Sequence, residues 1–362
     1  MHQNEIYPYV IEPKLAPAIW GGGALVATYG KKGAADAKIG ESWECWDENR
    51  VHNGPLAGQR IADLRGTLGT RLLGDLDPKQ IFPILTKFID AREALSVQVH
   101  PDDAYARRVE HQRNGKTECW YILQCEAGAE LVLGWSAGTD RAEYERRVAD
   151  GSLGDILRRV PVKPGEAFYL PAGTLHAIGK GIVLFETQQA SDLTYRIFDW
   201  NRTGADGKPR ELHVQKAGDV LDYRECHAGA LEEVAYTFEG FVRTALIADP
   251  HFLVERVTAT ETPAHMLTHG RPLVITNLGY GIELVCEEGR AVLEPFQTAL
   301  IPAAANSVCI AATQADSSPF MCVTPPTSLD AVERRLRDAG VAHHTIERFM
   351  RQFKPNDLRL QK

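Results

Sequence analysis

GEAFYLPAGTLH, running from Gly165 to His176, decides the fold. Alternating residues up to Leu170 make a strand, and Pro171 ends it, because its nitrogen has no hydrogen to give a neighbouring strand. Gly173 takes the tight turn that a side chain would obstruct. The next strand then opens on His176, with an imidazole pointing inward. This is how a small β-barrel holds a metal ion, and the search for further ligands starts there.

Gln98 and His100 are two residues apart, so on a strand both side chains point to one face. Glu118 begins the run ECWYIL, where alternation puts Trp120 on the same side and Cys119 outward. A strand histidine taken alone is more often a core or surface residue than a ligand. Gln98, His100, Glu118 and His176 together offer two imidazole nitrogens, one carboxylate and one amide oxygen. A set of nitrogen and oxygen donors without thiolate suits Zn²⁺, one ion per chain, and also admits Mn²⁺, Fe²⁺ or Co²⁺.

Around these residues, short apolar runs are punctuated by Gly and Pro: EALSVQVH, ECWYILQC, AELVLGW, EAFYLP and GIVLFETQQ. Few helix-length amphipathic segments separate them, which predicts a mainly β chain built on jelly-roll (cupin) barrels. Helices are expected as small insertions: around Ile61 to Leu73, after Pro101 in DDAYARRV, and across DRAEYERRVADGSLGDILRRV with a break at Gly151. From 231 to 326 the same style of strands returns, and LIPAAANS falls where YLPAGTLH fell, with Ser307 at the histidine's place. The expected organisation is a metal-binding cupin over 1–230, a degenerate second cupin without metal ligands over 231–326, and a helical extension over 327–362. In that extension Thr327 or Ser328 can cap a helix with Leu329, Val332 and Leu336 on one face and Gly340 at its end. A second stripe at Ile346, Phe349, Met350 and Phe353 ends at Pro355. Such short helices must pack on the body of the chain or on another subunit.

The 362 residues suffice for two domains of ordinary size. The net charge of −8 is spread along the chain without a basic block, which argues against a nucleic-acid partner. No basic n-region precedes an apolar run, and no segment reaches the roughly 18 apolar residues of a membrane span, so a soluble cytoplasmic protein is expected. The seven cysteines are scattered and form no CxxC pair, so they read as reduced thiols.

SVQVHPDD, GKTECWYIL, PAGTLHAIG and TQQASDLTYRIFDWNR resemble the successive motifs of the type I mannose-6-phosphate isomerases, zinc-dependent cupin enzymes, in their shorter bacterial form. The likeness extends from KLAPAIWGG and GESWE through RELH at Arg210 to His213, and more loosely through the second barrel. It implies that Gln98, His100, Glu118 and His176 are the zinc ligands. It also implies substrate-facing roles for Lys87 and Lys116, and it matches Glu186 and Arg196 to a motif carrying the active-site arginine.

The implied reaction interconverts mannose 6-phosphate and fructose 6-phosphate through a cis-enediol, with a phosphorylated hexose as the small-molecule partner. Arg196 would stabilise developing negative charge, and Lys116, Glu186 or a further residue that the motifs do not mark would move the proton. Lys87 and Ser96 would meet the phosphate, with Arg196 competing for that task. The chain lacks the larger helical domain of the longer enzymes, and its C-terminal helices extend beyond the shorter core. They can lie over the barrel mouth or at a dimer contact, so a monomer and a homodimer both stay open. His343 and His344 are expected to face solvent. Two rivals remain: a metal cupin that binds a sugar or a regulator without turnover, which has no use for Lys87, Lys116, Glu186 and Arg196 together, and an Fe²⁺ oxygenase, against which the amide of Gln98 argues.

Overall fold

The computed structural model describes residues 4–34, 36–200, 202–203, 207–314, 317–325 and 328–353. Among these residues strands dominate and fall into four sheets of eight, six, five and four strands. The chain divides into two compact units that interleave in sequence. One comprises 14–43 and 85–230; the other comprises 1–13, 44–84 and 231–362. One boundary between the units falls near 230, and residues 1–13 and 44–84, read from sequence as part of the first barrel, belong to the second unit. Their strands explain this: Tyr9–Glu12 pairs with Thr298–Ile301, and Arg50–Val51 pairs with Tyr9–Glu12. Long-range pairing of this kind leaves no mark in local composition.

In the first unit a six-stranded and a five-stranded sheet close on one apolar cluster, with Trp120, Ile122, Phe168, Leu170 and Leu184 from one sheet and Leu131, Leu133 and Ile178 from the other. The outer face of the five-stranded sheet carries Val97, Val99, Val132 and Ala177, covered by Tyr144, Leu153 and Ala217 from the helical insertions. Those insertions follow their local signals. Asp102 caps Asp103–Val109 by accepting from the Tyr105 N–H. Gly69 interrupts the predicted 61–73 helix into Ile61–Leu68 and Thr70–Leu73. Gly151, at φ 76°, ends Arg141–Asp150. Beyond it the sequence reading fails: after one 3₁₀ turn, Leu157–Pro161 is a strand paired to Glu130–Trp135, where tertiary pairing overrides helix propensity.

The second unit repeats the strand–turn–strand frame, with Thr298–Ile301, a 3₁₀ turn at Ala303–Ala305, and Ser307–Ala312. Ser328 caps Leu329–Asp338, accepting from the Ala331 N–H, and Gly340 follows at φ 79°. Thr327, Pro326 and Pro355 lie outside the described residues. Leu329–Asp338 and His343–Arg351 pack on Phe241–Asp249 and Val234–Phe238 of their own unit, burying Val332, Leu336, Ile346, Phe349 and Met350. His343 and His344 face solvent, as expected.

Candidate metal centre and active site

The inward positions of the first barrel change character along each strand. On Glu118–Cys125 the apolar Ile122 and Trp120 are followed, one inward position on, by Glu118. On Ile84–Ala91, Ala91 and Ile89 give way to Lys87; on Ile182–Gln189, Leu184 gives way to Glu186; on His176–Ile178, Ile178 gives way to His176. One end of the interior is therefore an apolar plug, and the other collects ionisable groups that the plug holds in place. Buried charges are costly unless partnered, so their partners decide what this end does.

His100 Nε2 lies 3.3 Å from Glu118 Oε1, and His176 Nε2 lies 3.4 Å from Glu118 Oε2, all three side chains being buried. The Nδ1 of His100 sits 2.8 Å from the Leu193 carbonyl and that of His176 sits 2.9 Å from the Thr174 carbonyl. A carbonyl only accepts, so each Nδ1 carries the proton and each Nε2 turns a lone pair toward the carboxylate. Burial, the first cause, pushes the His100 imidazole down to about 3 and lowers that of His176 too, so both are neutral. Burial pushes the Glu118 carboxyl up, but neighbouring positive charge, chiefly Lys116, overrides it and holds the group well below the usual range.

Two lone pairs and an anionic carboxylate thus face one another with no proton between them. Both Glu118 oxygens and His176 Nε2 lack a hydrogen-bond partner among the described residues. A cation at the centre satisfies all of them, and the donors fit a divalent metal ion of borderline softness. Lys116 Nζ lies 2.8 Å from Glu118 Oε1, an ion pair without hydrogen-bond alignment, and 3.5 Å from His100 Nε2. Gln98 is the directly opposed partner of His176 across the sheet, so both side chains share the inner face.

A second set of groups adjoins the first. Lys87, buried, lies 3.3 Å from both a Glu41 and a Glu186 carboxylate oxygen and 5.0 Å from the centre of the Trp43 ring. Trp120 Nε1 donates to Glu186 at 2.9 Å, and its ring meets that of His176 edge-on at 5.4 Å. Burial raises the Glu186 carboxyl, with the Glu118 charge adding to it. Lys87 is desolvated by the same burial, but Glu41 and Glu186 more than compensate and keep it an ammonium. Arg196 stands opposite Gln98 on the same row. It is half-buried, and its Nε donates to Ser96 Oγ at 3.3 Å and its Nη1 to the Glu211 carbonyl at 3.1 Å. Its backbone exchanges bonds with His213 of RELH.

Every candidate site residue named from sequence thus lies in this unit: Lys116, His100, Glu118 and His176 in one contact group, Lys87 and Glu186 in the next, Arg196 with Ser96, and Gln98 on the row between His176 and Arg196. Sequence reading passed over Glu41 and Trp43. The signal was there in GESWE, whose Glu41 and Trp43 are two apart and share a face, but nothing in the sequence indicates that this strand pairs beside Ile84–Ala91.

A jelly-roll barrel with a buried His–Glu–His set at one end of its interior defines a metal-binding cupin. The chain belongs, within that class, to the type I phosphomannose isomerase family. The family profile described as phosphomannose isomerase type I, catalytic domain, matches residues 10–121. The mannose-6-phosphate isomerase ManA of Bacillus subtilis is 41% identical over 254 residues, 68% of this chain and 78% of that protein. The probable mannose-6-phosphate isomerase GmuF of the same organism is 42% identical over 219 residues, 59% of this chain and 68% of that one. The crystal structure of a B. subtilis mannose 6-phosphate isomerase superposes with a TM-score of 0.78 at 31% identity, covering 88% of this chain and 99% of its own. A putative mannosephosphate isomerase of Archaeoglobus fulgidus, at 20% identity and a TM-score of 0.69, shares the fold.

Proposed function

We propose that this chain interconverts mannose 6-phosphate and fructose 6-phosphate in the cytoplasm, using one Zn²⁺ held by His100, Glu118, His176 and the amide oxygen of Gln98. The observation that carries the reading is the pair of unprotonated Nε2 atoms converging on Glu118 with the Lys116 ammonium in contact. When bound, the ion supplies Lewis acidity at the sugar's O1 and O2. The barrel end carries three carboxylates, Glu41, Glu118 and Glu186, against two ammoniums, Lys87 and Lys116. A divalent cation makes that sum positive, which suits a phosphorylated sugar.

Isomerisation moves a proton from C2 to C1 through a cis-enediol. Lys116 and Glu186 are candidates to carry it, Lys116 once its ammonium has given up a proton so that the free amine can take and return one, and Glu186 because burial raises its carboxyl. Arg196 adds a fixed positive charge for the oxyanion that develops. Arg196, half-buried, and the buried Ser96 hydroxyl bonded to it offer donors to the phosphate. Lys87 contributes positive charge there too, although two carboxylates already claim its ammonium.

A coupled assay for fructose 6-phosphate tests the reading with zinc-loaded, chelated and Arg196→Ala protein. Turnover lost on chelation and recovered with Zn²⁺, together with an Arg196→Ala variant that binds but turns over roughly 10²–10³-fold more slowly, is the expected outcome. No turnover by fully zinc-loaded wild type sinks the isomerase reading and leaves a sugar-binding metal cupin.

A further inference from the structure

Lys87 has more counter-charge than it needs. One buried carboxylate neutralises an ammonium, and Glu186 is that carboxylate, itself buried and tied by the Trp120 indole. Yet Glu41 approaches the same Nζ at the same 3.3 Å, with its Oε2 accepting from Trp43 Nε1 at 2.6 Å. A second carboxylate at a buried ammonium adds desolvation cost and repels the first, so stability alone favours its absence. The strand order explains how the two reach one lysine. Ile84–Ala91 lies beside Ile182–Gln189 on one side and pairs with Ile39–Cys45 on the other, so Lys87 is flanked by Glu186 and Glu41. Each carboxylate is pinned by one indole N–H, and the ammonium has a seat with few rotamers. Glu41 itself is partly exposed, its side chain 22% accessible.

We propose that Glu41, oriented by Trp43, is a positioning residue of this active site: it fixes the Lys87 ammonium and, through it, the Glu186 carboxylate in the geometry that the reaction uses. Glu41 acts through Lys87, the ammonium it pairs with. This inference rests on the isomerase reading. Its consequence is an order of effects: loss of Lys87 costs most, loss of the Glu41 charge less, and loss of the Trp43 N–H least. The damage falls on kcat, because Glu186, which moves with Lys87, is the group placed to carry the proton, while Ser96 and Arg196 still hold the phosphate and preserve ground-state binding.

The test uses zinc-loaded full-length protein carrying Glu41→Gln, Glu41→Asp, Trp43→Phe, Lys87→Met and the Glu41→Gln/Lys87→Met pair, assayed for steady-state turnover, metal content and thermal unfolding. The expected result is a kcat about 10- to 100-fold lower in Glu41→Gln, with KM within about twofold and metal content unchanged. Glu41→Asp recovers part of that loss, and the double variant is no slower than Lys87→Met alone. Multiplicative losses in the double variant, or a Glu41→Gln enzyme with wild-type kcat, overturn the proposal. Should wild type itself fail to turn over mannose 6-phosphate, the isomerase reading falls separately. The Glu41–Lys87 linkage is then judged on unfolding midpoints, where additive shifts reject it and non-additive shifts retain it.

Discussion

Two barrels built on one frame treat buried polarity in opposite ways. In the first, the strand after the proline turn starts at His176, whose partner across the sheet is Gln98, and the inward positions are His176 and Ile178. In the second, the corresponding strand starts at Ser307, whose partner is Leu267, but the core takes Val308, Ile310 and Met266. The inward face has slipped by one residue, so Ser307 stands at the histidine's place in sequence while Val308 faces the core. A slip of one residue exchanges the two faces of a strand. Likewise Leu273 opposes Ile301 as Glu118 opposes Leu170, and Leu273 is core. The second unit does bury charge, but closes it. Glu255 is held by Arg243, by the Tyr236 hydroxyl and by Arg335 of the Leu329–Asp338 helix. Closed pairs hold a structure together, whereas lone pairs left open on a common centre make a site.

That contrast is open to attack, beginning where the effect is largest. His176→Ala should cut kcat/KM by at least about 10³-fold, because several kcal/mol of charge stabilisation leave with the ion. Chelation should lower the unfolding midpoint of wild type and not of the variant, since only a bound ion stabilises the fold. A variant that keeps its metal and its rate would remove the open centre from the comparison.

Breaking the closed pair should act on stability alone. Glu255→Ala leaves Arg243 buried without its main partner and should cost about 3–5 kcal/mol in urea unfolding, with turnover per folded molecule unchanged. Burial pushes the Glu255 carboxyl up, but Arg243 and Arg335 pull it further down, so its net position is below the ordinary value. A depressed carboxyl stabilises the fold above its unfolded pKa, near 4.3, and loses that contribution as pH falls through the folded value. The stability gap between wild type and Glu255→Gln should therefore be full at neutral pH and shrink in acid, which unfolding curves at several pH values would measure.

Smaller effects refine the picture. Val308→His would set an imidazole among Met266, Ile310 and Leu273 with no converging carboxylate. The expected outcome is a loss of about 1–3 kcal/mol and no metal taken up, read by calorimetry and metal analysis. Smallest of all, Ser328→Ala removes the cap from Leu329–Asp338 and should lower stability by about 1 kcal/mol. No change there would mean that packing of Val332 and Leu336 alone holds the helix.

Legibility from sequence followed the range of the cause. His176, Pro171 and Gly173 were readable because turn chemistry and strand parity act within a few residues, and Pro101, Gly151 and Ser328 marked helix ends for the same reason. Leu157–Pro161 was misread as helix because its partner strand lies over twenty residues upstream. Glu41 and Trp43 passed unnoticed because nothing local says which strand they join.

The sequence by itself determined the mainly β class, the family and the inward-facing cluster of His100, Glu118 and His176, since parity, turn residues and motif order are properties of the linear chain. Tertiary structure alone decided that Nδ1 of each histidine is bonded to a carbonyl and Nε2 turned to Glu118, that Lys87 sits between two carboxylates, and that residues 1–13 and 44–84 pack with the second barrel. Those facts depend on which strands meet, and strand pairing is settled by contacts between segments far apart in the chain.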